Sequence, residues 1–149
     1  MTKGELEEYL HNNIPITKAM RVGVVEVKGD RVVLCAPILP NINHRDTAFG
    51  GSISTLAILS AWCLLRLKMD EKNAKNAHLV IQRNNIEYLH PVAADFTASA
   101  ILADKDEWQR FEEVFAAKGK ARISVESRIA VGGNVCARFS GDFVVLARP

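Results

Sequence analysis

Apolar residues recur along this chain with two periods. Over residues 2–13, Leu6, Tyr9 and Leu10 return at helical spacing, which predicts a short amphipathic helix stopped by Pro15. Two valine-rich runs, residues 21–28 and 31–37, meet at Gly29-Asp30 and predict a hairpin of strands. Residues 49–69 have helical length but are apolar nearly all round, a pattern of burial on every side rather than on one stripe. A polar connector, residues 69–76, leads to a strand-like stretch of mixed character at 78–90, interrupted at Asn84-Asn85 and ended by Pro91. Residues 96–102 alternate, with Phe96, Ala98, Ala100 and Leu102 on one face. Residues 106–118 carry Trp108, Phe111, Glu112 and Phe115 at helical spacing and close at Gly119. Two final strands, 121–131 and 134–147, meet at Gly132-Gly133, with Gly141 expected to mark a bulge or bend.

One helix that is apolar all round needs an element wrapped about it. An antiparallel sheet of about five to six strands, curled around that helix, buries every face at once, and no βαβ alternation competes with this α+β arrangement. The 149 residues suit one domain, 1–149, with no repeat or linker. Such a sheet leaves edges that a second copy can cover.

Charge and composition narrow the class. A net charge of +2, with no basic run, gives no footprint for nucleic acid or an acidic membrane. The apolar stretch 53–67 falls short of the roughly 20 residues a bilayer span needs, and Ser54, Thr55, Ser60, Arg66 and Lys68 interrupt or flank it. Cys35, Cys63 and Cys136 are odd in number and far apart, so they suggest neither zinc ligation nor a disulfide framework. Reduced thiols and an acidic N-terminal stretch unlike a signal peptide lead to a cytoplasmic expectation.

Candidate chemistry concentrates in Pro40-Asn41-Ile42-Asn43-His44-Arg45-Asp46-Thr47-Ala48-Phe49-Gly50-Gly51-Ser52, a polar loop that enters the long helix. A helix N-terminus carries unpaired N–H groups and about half a positive charge. Glycines there let a carbonyl oxygen approach those donors, the arrangement that stabilises a developing oxyanion; the same glycines also serve a plain turn. Asn43 either holds a carbonyl or orients a water, or closes an Asx-turn. Asp46 is the carboxylate nearest the glycines: a general base, or with Thr47 an N-cap. Thr47 equally suits a loop brace or a ligand contact. His44 is a base of near-neutral pKa or an exposed loop side chain. Ser52, Ser54 and Thr55 lie on the first helical turns, where hydroxyls commonly bond back to the helix. Gly50-Gly51-Ser52-Ile53-Ser54 lacks the last glycine of a nucleophile elbow, and Thr55 is the hydroxyl placed to meet a pocket.

The frame Asn43-His44-Arg45-Asp46-Thr47-Ala48-Phe49-Gly50-Gly51 resembles the Asn-x-x-Gly-x-x-His-Gly-Gly loop of the phenylacetyl-CoA branch of the hotdog-fold acyl-CoA thioesterases. Asn43 and both glycines match; Asp46 stands for the Gly and Phe49 for the His. The segment from Tyr88 through Pro91 to Asp95 and Phe96 is similar to a strand–Pro–turn–Asp feature of hotdog proteins. The wording Asn-Ile-Asn…Thr-Ala-Phe-Gly-Gly-Ser is closer still to a bacterial thioesterase domain that can follow a GNAT-type acetyltransferase domain, though these 149 residues hold no acetyltransferase part.

That resemblance implies a hotdog fold and a homodimer joined along the strand after the central helix, with further pairing to a tetramer common. It implies two interface sites for an acyl-CoA or acyl-carrier thioester, with coenzyme A part of the substrate and no other cofactor or metal. Gly50 and Gly51 would polarise the carbonyl. Phe49, Ser52 and Thr55 would line the site, and Asn84 or Asn85 would reach a partner's site or make an interface hydrogen bond. Lys120 and Arg122, with Lys118, would receive coenzyme A phosphates or stay solvated. Trp108, Phe111 and Phe115 would be core or line an acyl tunnel. One departure matters most: the helix Asp or Glu of related enzymes, about two and a half turns past the His that opens the His-Gly-Gly frame, falls on Ile58, and no carboxylate occurs between Gly50 and Met69. Hydrolysis would then rest on Asp46, assisted by Asn43 and Thr47. The alternatives are acyl-CoA binding without hydrolysis, or a hydratase or dehydratase built on His44 and Asp46.

Overall fold

In the computed structural model, which describes residues 1–69, 71–102 and 104–149, the chain begins with α1 (Lys3–Asn13), α2 (Pro15–Ala19), β1 (Gly23–Lys28) and β2 (Arg31–Ala36). It continues through α3 (Gly50–Lys68), α4 (Glu71–Lys75), β3 (Ala77–Tyr88), β4 (Phe96–Ile101), α5 (Lys105–Lys118), β5 (Lys120–Val131) and β6 (Asn134–Ala147). The strands form one antiparallel sheet in the order β1-β2-β4-β5-β6-β3. It curves around α3, which touches β2, β3, β4, β5 and β6. This is the α+β wrap that the hydrophobic pattern requires.

Alternation puts one face of each strand against α3. On β5, Ala121, Ile123, Val125, Ser127 and Ile129 point inward while their neighbours face solvent. They meet Leu56, Leu64 and Leu65 of α3 in a core that also takes Leu34, Phe96 and Phe143. Truncating a leucine in such a core costs about 2–5 kcal/mol. Two buried hydroxyls pin helix to sheet, Ser60 Oγ lying 2.7 Å from Ser127 Oγ, and Ser60 also donates to Ala57 O at 2.8 Å. With both partners satisfied, the pair adds little desolvation cost. At the far end of α3, Lys68 Nζ bridges Asp30 at 2.7 Å and lies 5.3 Å from the centre of the Trp108 ring.

Several expectations need correction. Pro15 does not merely stop a helix: it occupies the first position of α2, where its fixed φ and missing N–H cost nothing. The connector after α3 contains the short helix α4. β3 runs unbroken through Asn84-Asn85, and its irregularity is a bulge between Ile81 and Arg83. Gly141 marks no bulge, since its pairings with Asn84 and Val125 are regular. A Cβ there would lie 2.6 Å from the Phe139 ring and 3.1 Å from Phe143, so glycine makes room for two core rings. Finally, α3 is not buried on all sides. Ser54, Thr55, Ile58 and Trp62 form a half-buried strip that the single chain leaves partly open.

The two sheet edges are treated differently. β1 is six residues long, and α1 lies beside it: Glu7 accepts from Val24 N–H at 3.1 Å, and His11 Nε2 lies 2.7 Å from Val22 O. β3 is twelve residues long and pairs only with β6, which leaves its other side as a bare edge of the described sheet.

Candidate active site

The loop before α3 folds on Asn43. Its Oδ1 accepts from Arg45 N–H at 2.8 Å and Thr47 N–H at 3.3 Å, and its Nδ2 donates to Thr47 Oγ1 at 3.0 Å and Ala48 O at 3.4 Å. Asn43 N–H also donates to Thr47 O at 2.8 Å, closing a tight turn beside the Ile42–Ala48 bridge. Of the two sequence readings, the Asx-turn is the one this geometry displays. Asp46 sits at the tip of that turn with φ 61°, a left-handed conformation that Asp tolerates better than most residues. Its carboxylate is exposed. His44 is also exposed, with Arg45 Nε at 3.4 Å as its neighbour.

Neither Asp46 nor Thr47 caps α3. The N-cap is Phe49, in extended conformation, and among the described residues no side chain accepts from an N–H of the first turn. Ser52 and Ile53 N–H groups turn back to Phe49 O at 2.9 and 3.1 Å. Gly50 and Gly51 N–H find no acceptor among the described residues. An uncapped start on a largely buried helix therefore presents two donors and the positive end of the helix dipole.

This start is held firmly. Phe49 N–H donates to Asn41 O at 2.7 Å, and Ala48 N–H to Val92 O at 2.7 Å. The buried Asn41 amide donates to Met20 O at 3.0 Å and Pro37 O at 2.7 Å, tying together the end of α2, the end of β2 and the loop. From the far end of β3, Tyr88 Oη donates to Gly50 O at 3.3 Å. Sequence reasoning missed both Asn41 and Tyr88. The position of Asn41 two residues before Asn43 carried no separate signal, and the meeting of Tyr88 with Gly50 is purely tertiary.

Asn43, Thr47, Phe49, Gly50, Gly51, Ser52 and Thr55 are thus brought to one end of the molecule. Ser54 spends its hydroxyl on Gly51 O at 3.1 Å, as hydroxyls on helices commonly do. Thr55 and Ile58 continue the half-buried strip along α3. Asn84 pairs with Gly141 on the inner face of the bare edge strand, whereas Asn85 pairs with Ser140 on the outer face. Lys120 and Arg122 lie on the outer face too, at the sheet end that borders the start of β3. Within one chain, Asn85, Lys120 and Arg122 do not approach the glycines. Near them, the Ser124 hydroxyl and the Arg83 guanidinium hold the Asp142 carboxyl below its usual range. Trp108 and Phe111 are core residues flooring a groove of about 570 Å³ between α5 and the C-terminal end of α3, remote from Gly50.

Comparison with known proteins agrees with this architecture. Residues 3–147 match the family model described as "Putative thioesterase (yiiD_Cterm)". A protein of unknown function from Chlorobaculum tepidum TLS superposes with a TM-score of 0.89 at 30% identity, over 98% of this chain and 94% of that one. A structure described as a "putative thioesterase" from Shewanella oneidensis gives 0.81 at 26% identity, over 99% and 97%. A thioesterase from Haemophilus influenzae, 15% identical, shares the fold with a TM-score of 0.78 over 99% and 92%. Matched over nearly its whole length, the chain belongs to the YiiD_C thioesterase family and has the hotdog fold.

Proposed function

We propose that the protein hydrolyses an acyl thioester, carried by coenzyme A or an acyl-carrier protein, at the N-terminus of α3. The observation that carries this reading is the pair of N–H groups on Gly50 and Gly51, left without acceptors at an uncapped helix start in a chain of this family. A thioester carbonyl received there gains two hydrogen bonds that strengthen as its oxygen becomes negative. One such donor is typically worth about 3–4 kcal/mol of barrier. The acyl chain follows the strip Thr55, Ile58 and Trp62 along α3.

Asp46 is the proposed base for the attacking water, because the loop and α3 contain no other carboxylate. Asn43 and Thr47 hold that carboxylate's turn in shape. Addition of water to the carbonyl carbon, with its proton passing to Asp46, gives a tetrahedral oxyanion. Collapse breaks the C–S bond, and the proton returns to the leaving thiolate, so a carboxylic acid and a free thiol are released.

A second copy completes the site in this reading. The bare β3 edge and the half-open strip of α3 lie side by side, and antiparallel pairing of two β3 strands covers both. Such pairing carries Asn84 to the partner's helix start, and the outer-face Lys120 and Arg122 are then available to coenzyme A phosphates. Three free thiols suit a cytoplasmic setting.

A second reading has an observation in its favour: with Ile58 in the acid position and Asp46 exposed, the same donors can bind an acyl thioester without cleaving it. Thiol release from a panel of acyl-CoAs, measured for the wild type and Asp46→Asn, separates the two. Turnover that falls at least about 100-fold in Asp46→Asn supports hydrolysis with Asp46 as base. Unchanged turnover removes Asp46 from the mechanism, and binding without any turnover replaces hydrolysis with the binding role.

A further inference from the structure

Two aromatic rings flank the helix start. A Cβ built on Gly51 would lie 2.2 Å from Phe49 Cε2 and 2.8 Å from Cζ, so the Phe49 ring occupies the space of the side chain that Gly51 lacks. A Cβ on Gly50 would meet Tyr88 carbons and Oη at 3.8–3.9 Å, an ordinary contact. Both residues are more than half exposed, 57% for Phe49 and 52% for Tyr88, so neither side chain is closed off from a ligand. The Phe49 backbone is fixed by its N–H bond to Asn41 O, which leaves only the ring free to turn.

These facts set the width of the approach. A carbonyl oxygen accepting from Gly50 and Gly51 N–H must sit about 2.7–3.2 Å from those nitrogens. Its carbonyl carbon, and the next carbon of the acyl chain, then lie beside the ring that overhangs Gly51. A methylene places only hydrogen on either side of the chain there. A methyl branch projects sideways, into volume that a ring already fills on one flank or the other.

We propose that Phe49 is the specificity-determining side chain of this site, acting with Tyr88 to admit thioesters of straight-chain acyl groups and to reject those branched at the carbon next to the carbonyl. The proposal rests on the reading of Gly50 and Gly51 as carbonyl donors, and it concerns selection rather than the bond-breaking step.

Binding and turnover test it separately. Two isomeric, non-hydrolysable coenzyme A ketones serve as probes, S-(2-oxopentyl)-CoA and its branched counterpart S-(3-methyl-2-oxobutyl)-CoA. Their dissociation constants are measured on wild type, Phe49→Ala and Phe49→Leu, beside thiol release from butyryl-CoA and isobutyryl-CoA. Expected is a preference of about tenfold or more for the straight isomer in wild type, the usual scale for one misplaced methyl group. In Phe49→Ala it should fall to within about twofold, and Phe49→Leu should lie between. A wild-type ratio near one, or a ratio that Phe49→Ala leaves unchanged, overturns the proposal. Discrimination in binding with no turnover of either ester sustains the selection by Phe49 while the hydrolytic reading fails. Binding of neither ketone overturns the selection by Phe49, while turnover of any acyl-CoA would still uphold the hydrolytic reading.

Discussion

The Phe49 ring lies across Gly51, with its Cε2 only 2.2 Å from where a side chain at position 51 would begin. Position 50 has no such neighbour, its nearest ring atoms being at 3.8 Å. Two adjacent glycines at the same helix start therefore carry different constraints, one from a ring and one from none.

Alanine at the two positions should behave differently. Gly50→Ala is expected to be neutral or stabilising by up to about 1 kcal/mol, since alanine is the better helix former and the space is open. Gly51→Ala must turn the exposed Phe49 ring aside and should be less stable than Gly50→Ala by about 0.5–1 kcal/mol, the scale of a displaced rotamer. Adding Phe49→Ala to Gly51→Ala removes the collision, so a urea-unfolding double-mutant cycle should give a coupling of about 0.5–1 kcal/mol. Strict additivity would show that the ring places no constraint on residue 51.

The fold was legible where the hydrophobic period was clean. Alternation in β4 and β5 and the length of α3 gave those elements and the wrap around the helix, and Gly119 closes α5 in the left-handed conformation (φ 68°) that favours glycine. Legibility failed where a tertiary neighbour decides the local choice. Gly141 reads as a strand-breaker, yet it is present because Phe139 and Phe143 converge on its inner face. In β3 the bulge after Ile81 shifts the alternation, so inward residues change from Leu79 and Ile81 to Asn84, Ile86 and Tyr88. No period-two reading carried through residue 82 can place Asn84 and Asn85 on their proper faces.

The candidate site was legible in part for the same reason. The glycine pair and its loop stand out in sequence because they are contiguous. Phe49 as the N-cap does not, because good capping residues, Asp46 and Thr47, lie just upstream and are consumed by the loop turn instead. Tyr88 reaches Gly50 across 38 positions of sequence and leaves no local trace.

The unequal sheet edges lead to a prediction about assembly. β1 is shielded by Glu7 and His11 of α1, while the twelve-residue β3 pairs with a strand on one side only and exposes Val80 to 47%. The wild type should therefore run by light scattering at twice the 16.4 kDa chain mass. Val80→Lys sets a charge on that edge, a common device against strand pairing, and should shift the population toward single chains as the protein is diluted. The wild type's melting temperature should rise with protein concentration, and that dependence should weaken in Val80→Lys as pairing is lost. A wild type at single-chain mass would remove β3 pairing from the account of the site.

Alkaline pH offers a test of the core itself. Cys63 lies on α3 fully enclosed by apolar neighbours, and burial pushes its thiol up from 9.0 to about 12. The cause is desolvation, since a thiolate there would face no compensating charge or donor. Between these two values the unfolded chain gives up the proton while the native chain keeps it, so the native state binds more protons and stability must fall as pH rises. The contribution is complete below about pH 9 and is lost progressively toward pH 12, at a limiting slope of about 1.4 kcal/mol per unit. Tyrosines and lysines titrate in the same range, so the informative quantity is the difference between wild type and Cys63→Ala across pH 8–11. Urea unfolding should show the wild type losing stability more steeply than the variant above pH 9, with both curves parallel below it. Parallel curves throughout would mean that water reaches the Cys63 thiol and that the interior of α3 is less sealed than its packing implies.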